Sequence, residues 1–223
     1  MENLTLVIPA KNEKESLPKV FDELKNYKLK KIVVLEKADT ETINSISNYH
    51  CDVIYQRNNG YGAALIEGIN KVETKYFCIF NADGSFNPRE LNTMQSSLID
   101  NQSDFIFASR YEEGCKSDDD TIITLIGNYI FTKIGKIFFG LNITDILYTF
   151  VLGKTEEFKN LDIQSKDFGF CVELPIKAKR LKKKTITSKS HERSRIGGKK
   201  KVNALKDGFL ILTHMINLFF NKN

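Results

Sequence analysis

Short apolar runs alternate with segments of helical spacing through the first half of the chain. Leu4–Ile8, Ile32–Leu35, Val53–Tyr55, Tyr76–Phe80 and Phe105–Ala108 have the length and composition of buried strands. Between them, Glu15–Tyr27 places Leu17, Val20, Phe21 and Leu24 on one helical face, and Thr40–Ser47 and Tyr61–Val72 read as further helices. Pro88–Ile99 reads as a helix with Pro88 in its first turn. This rhythm predicts the α/β class: a doubly wound, mostly parallel sheet flanked by helices. Ligands of such sheets bind beyond the carboxyl ends of the strands.

Three of those ends are followed by polar loops: "PAKNEKES" after Leu4–Ile8, "EKADTET" after Ile32–Leu35 and "NADGS" after Tyr76–Phe80. One such loop would mean little; three on one edge mark a candidate site. The second half of the chain changes character. Ile122–Leu141 is apolar apart from a few residues such as Lys133 and Lys136, and Phe209–Phe220 is a second apolar stretch. Each fits a buried helix, an oligomer contact or a helix lying in a membrane interface. The expected organisation is therefore a half comprising residues 1–120 and a second half, 121–223, with amphipathic helices and a basic C-terminal loop.

Composition narrows the choice. The chain has 223 residues and is 41% hydrophobic, enough for a sizeable core. Four Pro and 13 Gly argue against long disordered linkers. No window of 18 apolar residues is free of charge, so no transmembrane helix is expected. The first residues run straight into a strand without a basic leader, so no signal peptide is expected. Cys51, Cys78, Cys115 and Cys171 form no CxxC pair and read as free thiols in a reducing cytoplasm. His50, His191 and His214 share no metal spacing. The net charge of +5 is uneven, with the strongest basic run between Lys177 and Lys206. That run fits a solvated helix end, a phosphate site or an anionic membrane face. It has no interleaved aromatics to stack bases, so nucleic acid is not expected.

"NADGS" sets an amide, Asn81, two residues before a carboxylate, Asp83. At a strand end, such oxygens suit a hard divalent cation and a phosphate, or form an ordinary turn. "RNNGYGAAL", Arg57–Leu65, puts glycines where a loop enters a helix, which allows close backbone approach and favours anions. In "PAKNE" Asn12 is placed to cap the first helix. Arg110, in "FASRY", suits phosphate through its fork of donors, or pairs with Glu112 or Glu113. Asp145, in "NITD", and Glu173, in "GFCVEL", are acidic residues in apolar surroundings, and a buried carboxylate needs a partner.

Taken in register, "VIPAKNEKESLP", "IVVLEKADTET", "RNNGYGAALIEGI", "FNADGSFNP", "FASRY", "NITD", "GFCVEL" and "RSRIGGKKKVNALKDGF" resemble glycosyltransferase family 2, which has the GT-A fold. Within it, the likeness is to the group of dolichol-phosphate mannose synthase and its bacterial relatives without transmembrane helices. It covers about residues 4–215. The resemblance implies an inverting glycosyltransferase that moves a sugar from a GDP- or UDP-linked donor to a polyprenyl-phosphate or glycan acceptor. It implies Mg²⁺ or Mn²⁺ as cofactor, possible homodimers, and work in the cytoplasm, at the membrane's cytoplasmic face for a lipid acceptor in cell-envelope glycan synthesis. The alternative is a nucleotide-sugar binder of the same fold that has lost activity. A nucleotidyltransferase would carry a glycine-rich Arg/Lys signature after the first strand, which "PAKNEKES" lacks.

Residue by residue, the resemblance places Pro9, Ala10, Asn12 and Glu13 beside the nucleotide, with Glu36 reaching the ribose or base. Arg57 and Gly62 belong to a loop near the donor. Asn81, Ala82 and Asp83 answer the family's Asp-x-Asp motif, and Asp83 is the direct metal ligand. Arg110 sits near phosphate oxygens. Asp145 or Glu173 serves the acceptor side, as a base for a hydroxyl acceptor or as a positioning group for a phosphate. Arg193, Arg195, Gly197, Gly198 and Lys199 form a loop that closes over phosphate and excludes water. Three departures stand out. Asn81 replaces the first Asp of the motif; Leu35-Glu36-Lys37-Ala38-Asp39 replaces two consecutive Asp; and the entry to the long apolar helix, Asp119-Asp120-Thr121-Ile122, lacks the Arg often found in relatives that use polyprenyl phosphate.

Overall fold

The computed structural model describes residues 3–197 and 204–221. Seven strands form the main sheet: β1 (Leu4–Pro9), β2 (Lys30–Leu35), β3 (Asp52–Tyr55), β4 (Tyr76–Ile79), β5 (Phe105–Ser109), β7 (Val151–Lys154) and β8 (Thr185–Lys189). Their order is β3-β2-β1-β4-β7-β5-β8. All neighbours are parallel except β7, which runs antiparallel between β4 and β5. A two-stranded parallel pair, β6 (Lys116–Ser117) and β9 (His191–Glu192), stands apart. Strands from the second half thus complete the sheet begun by the first, and the two expected halves share one sheet.

The helices are α1 (Leu17–Leu24), α2 (Thr40–Ser45), α3 (Tyr61–Ile69), α4 (Glu90–Asp100), α5 (Ile122–Phe139), α6 (Thr155–Lys159), α7 (Phe170–Arg180) and α8 (Ala204–Phe220). The central strands are buried on both faces, as their unbroken apolar runs require. Period-two alternation divides β1: Leu4, Leu6 and Ile8 pack with α1 and α4, and Val7 with α3 and α7. Phe80, Phe86, Tyr148 and Phe150 form an aromatic cluster under the crevice described below, with Phe86 stacked on Phe150 at 4.6 Å.

α5 is inside out relative to an ordinary surface helix. Its buried residues are Asn128, Thr132 and Gly135, while Ile122, Ile123, Ile126, Ile130, Ile137 and Phe138 face outward. A Thr121–Thr124 capping box starts it, and Gly140 ends it at φ 66°, the left-handed conformation glycine adopts without cost. By length and composition alone this helix is long and apolar enough to cross a membrane, at 18 residues and mean hydropathy 1.4, and it carries the two charges seen in the sequence, Lys133 and Lys136. It packs against α8, where Phe219 meets Phe138 and Phe139 edge-on.

Two further expectations change here. Asn12 does not cap α1: it has φ 54°, its N–H donates to Asp39, and Ser16 occupies the cap position. Glu173 is a structural anchor on α7. Its carboxylate accepts the backbone N–H of Gln164 at 3.0 Å and of Ser165 at 2.7 Å, and Lys177 pairs with it at 2.8 Å. Burial alone would raise its pKa, but Lys177 and the 164–165 amides outweigh that and hold it below the usual glutamate value. The segment so pinned meets α3: a Cβ at Gly62 would lie 2.2 Å from the Ser165 carbonyl oxygen.

Glu173→Ala leaves two amides and an ammonium without their partner, and is expected to cost about 3 kcal/mol of unfolding free energy. Urea denaturation measures it, and a loss below about 1 kcal/mol would contradict this anchor. Because the folded pKa is depressed, the stabilisation is present above the unfolded-chain value of about 4.3 and is lost as pH falls through the folded value.

Candidate active site

A crevice of about 420 Å³ opens at the carboxyl ends of β1, β2 and β4. It collects Pro9, Ala10 and Glu13 from the loop after β1, Glu36 from the end of β2, and Asn81, Ala82 and Asp83 from the loop after β4. The parallel pairing of β1 with both β2 and β4 brings these three polar loops together. Glu36 is paired with Lys11 at 2.6 Å, and Glu13 is buried with its backbone N–H donating to Thr42 Oγ1.

Asp83 belongs to a tight turn as well as to the crevice. Its Oδ1 accepts from the Ser85 N–H at 3.0 Å and the Ser85 hydroxyl at 2.7 Å. Its Oδ2 lies 3.7 Å from Arg195 Nη1. Among the described residues the Asn81 side chain reaches Ser85, at 3.4 Å. Gly84, at φ 82°, lets the C-terminal loop dock on the turn, since a Cβ there would meet Ile196 at 2.4 Å. The Ile196 N–H donates to the Asp83 carbonyl, and the Arg193 N–H to the Ser85 carbonyl. Arg195 also donates to both oxygens of Asp119, at 2.9 and 3.3 Å. That bonding, with Asp83 nearby, holds its guanidinium above its ordinary pKa.

The other end of the crevice is built around Arg110, just past β5. Its Nε and Nη2 clasp Asp145 at 2.7 and 2.9 Å, and its Nη1 donates to Glu192 at 2.8 Å and Asp120 at 3.3 Å. The Tyr148 ring covers one face at 4.6 Å. Burial opposes the charged form, but Asp145 and Glu192 outweigh it and hold the guanidinium well above its ordinary pKa. Neither Glu112 nor Glu113 is among its ion-pair partners; Glu112 accepts instead from Thr144 and Thr187.

Several residues expected at the site lie elsewhere. Asp145 has no access to a substrate: its side chain is 0% exposed, and Arg110 and Asn128 occupy its oxygens. It is a structural counter-charge, which corrects its reading as a base. Glu173 is outside the crevice for the reason given above. Arg57 is exposed and outside it, and its N–H donates to Glu67. Gly62 serves approach to the chain's own 165–167 backbone, while Gly60, at φ 116°, lines the crevice. Arg193 binds Glu23 and the Phe86 carbonyl, and so fastens the loop to α1. Gly197 lies against Glu15. Gly198 and Lys199 lie outside the described residues.

Sequence reasoning missed Asp119, Asp120 and Glu192, which line the crevice. The run Asp118–Asp120 was visible as charge, but its place beside Arg110 depends on the β6–β9 pair, each only two residues long. Glu192 was hidden inside the basic run.

Among curated proteins, the chain is 20% identical over 213 residues to glycosyltransferase AglJ of Haloferax volcanii, covering 94% of this chain and 70% of that one. It is 28% identical over 108 residues to an uncharacterized glycosyltransferase of Mycobacterium tuberculosis, 48% of each chain. Among solved structures it resembles glucosyl-3-phosphoglycerate synthase of Mycobacterium tuberculosis in complex with Mn²⁺, UDP-glucose and phosphoglyceric acid, with TM-score 0.71, 12% identity, and 97% of this chain and 79% of that one covered. It also resembles mannosyl-3-phosphoglycerate synthase of Rubrobacter xylanophilus, with TM-score 0.70, 15% identity, and coverage of 98% and 73%. At such identities these likenesses show the fold, the doubly wound GT-A architecture. The model for "Glycosyl transferase family 2" matches residues 5–161, well over half of the chain. The chain belongs to glycosyl transferase family 2.

Proposed function

We propose that the chain transfers a sugar, with inversion, from a nucleotide-diphospho-sugar to an acceptor held at the Arg110 end of the crevice. The observation that carries this reading is the Asp83 carboxylate, aimed into a crevice shared with the tips of β1 and β2. A GDP- or UDP-linked donor suits the loops at Pro9, Ala10, Glu13 and Glu36, and the similar synthase holds UDP-glucose with Mn²⁺. The expected division into a donor half, 1–120, and an acceptor half, 121–223, does not separate at the site: Arg110 and Asp120 come from the first and Glu192 and Arg195 from the second.

The residues present fit Mg²⁺ or Mn²⁺. Among the described residues no group of three or more acidic, His or Cys side chains is placed to hold a metal, so Asp83 would be the carboxylate ligand, with Asn81 beside it. Such cations are commonly held by one or two carboxylates, with substrate phosphates and water completing the shell. Bound there, the cation neutralises charge developing on the departing diphosphate. Ser85 fixes one Asp83 oxygen and leaves the other turned to the crevice. Arg195, spanning Asp83 and Asp119, is a second positive group within reach of the diphosphate. The 193–197 loop, docked through Ile196 on Gly84, keeps Arg195 beside Asp83.

The outward faces of α5 and α8 fit an anionic lipid surface. Ile122, Ile126 and Phe138 on α5, and Leu205, Phe209 and Phe220 on α8, are all exposed. Lys133 and Lys136 on α5 add positive charge. The same two helices supply Thr124, Asn128 and Ile211 to the crevice lining, so the site lies beside this face.

Asp83→Ala is expected to abolish Mn²⁺-dependent stabilisation by UDP- and GDP-sugars in a thermal-shift panel, and Arg195→Ala to lower the transfer rate by about 10²–10³-fold. A wild-type melting temperature unmoved by every donor with Mn²⁺ would overturn the reading. Paired Ile126→Glu and Phe209→Glu substitutions should abolish flotation with phosphatidylglycerol vesicles. Wild-type chain that stays unbound and sediments as a dimer would assign the face to a second copy.

A further inference from the structure

We infer that the acceptor is an uncharged, hydroxyl-bearing molecule, and that Asp120 takes the hydroxyl proton. This rests on the transferase reading and specifies its substrate class. On that reading the acceptor is held at the Arg110 end of the crevice, and the described groups there offer an anion little. Each guanidinium nitrogen of Arg110 already donates to a carboxylate, and Tyr148 covers one of its faces. Among the described residues, the crevice-lining cations are Lys11, Arg110 and Arg195. Lys11 is paired with Glu36 at the donor end, and Arg195 spans Asp83 and Asp119, where the donor diphosphate belongs. The Asp120 and Glu192 carboxylates sit beside Arg110 on the crevice wall, with Asp145 behind them. Among the described residues, three carboxylates surround this one guanidinium, an excess of negative charge. A phosphate nucleophile meets like charge there, while a hydroxyl group meets ready acceptors.

Asp120 and Glu192 are the carboxylates of this cluster that line the crevice, and the assignment goes to Asp120, which three side chains hold in place. It lines the crevice, whereas Asp145 is sealed behind it. Tyr111, Thr124 and Arg110 donate to it and fix its orientation. Thr124 and the buried Tyr148, whose ring lies on Arg110, complete the same wall. In the step, the acceptor oxygen forms a bond to the anomeric carbon. The bond from that carbon to the diphosphate oxygen breaks, and its electron pair leaves with the diphosphate. The acceptor proton passes to the Asp120 carboxylate. A phosphate nucleophile would arrive already ionised and would need no such base.

Water, as the simplest hydroxyl acceptor, makes the test independent of finding the natural one. The full chain with Mn²⁺ receives the radiolabelled donor that raises its melting temperature, together with water alone, alkyl glycosides or a polyprenyl phosphate. Label is expected to reach alkyl glycosides or water, with kcat/KM for polyprenyl phosphate at least about 100-fold below that for the glycosides, or label transfer to it below donor hydrolysis where glycosides do not react. Asp120→Asn is expected to lower kcat for these hydroxyl acceptors by about 10²–10⁴-fold with an unchanged donor KM and an unchanged donor-induced melting shift, and Asp120→Glu to recover part of the rate. Polyprenyl phosphate reacting faster than both hydroxyl acceptors, or Asp120→Asn hydrolysing donor at the wild-type rate, overturns the inference. A donor panel without any melting shift sinks the transferase reading itself, and is told apart because it needs no acceptor.

Discussion

The clasp of Arg110 on Asp145 organises the half of the crevice that lies beyond the parallel strands. Both groups are nearly sealed from water, at 9% and 0% side-chain exposure, so neither charge is tolerable without the other. Around this pair the chain gathers otherwise distant segments. Asn128 of α5 donates to Asp145, and its carbonyl oxygen accepts the Leu147 N–H. Asp120 holds the entry to α5, and Glu192 ties β9 to the end of β5. Replacing the pair by apolar groups would remove a charge problem but also the geometry that positions four segments on one wall. Removing one partner alone would leave a buried charge, typically a loss of about 3–5 kcal/mol.

The inverted polarity of α5 follows from that clasp. A helix that must deliver Asn128 to Asp145 and Thr132 to the Ile146 N–H turns its polar residues inward. Most of its isoleucines then face outward, while Ile134 still packs against the core. The apolar surface is therefore linked to the site by construction: the residues that satisfy the buried charges dictate which residues are left exposed. This is why periodicity alone could not tell a core helix from an interfacial one. It reports that an apolar stripe exists, and the location of Asp145 decides which way the stripe faces.

The parallel half of the sheet was legible because local pattern and global fold agree there. Runs such as Leu4–Ile8 and Ile32–Leu35 are buried on both faces, and their polar ends converge on one rim, as the order of a doubly wound sheet requires. β7 and β8 escaped notice. Val151–Lys154 is four residues long and contains Gly153, and Thr185–Lys189 is polar enough to pass for a loop. Gly153 has a packing reason: a Cβ there would meet the Phe105 ring at 2.4 Å. The site divided in the same way. Glu36, Asn81 and Asp83, expected at strand tips, line the crevice. Arg57, Gly62, Asp145 and Glu173 were misplaced because their surroundings are set by long-range partners that no local pattern encodes.

The change from Asp to Asn at position 81 gains a physical account from the same geometry. Among the described residues the Asn81 side chain gives one long hydrogen bond, to Ser85, and Ser85 in turn gives two hydrogen bonds to Asp83. A second carboxylate at position 81 would join Asp83, Asp119 and Glu13 in lining one crevice, whose other lining residues include the cations Arg195 and Lys11. Like charges sharing a crevice raise one another's pKa and weaken the set as acceptors of hydrogen bonds. An amide keeps the oxygen and the turn while sparing the site another negative charge. The acidic wall at Asp119 and Asp120 and the neutral residue at position 81 are thus mutually compatible: charge added on one side of the crevice is withheld on the other.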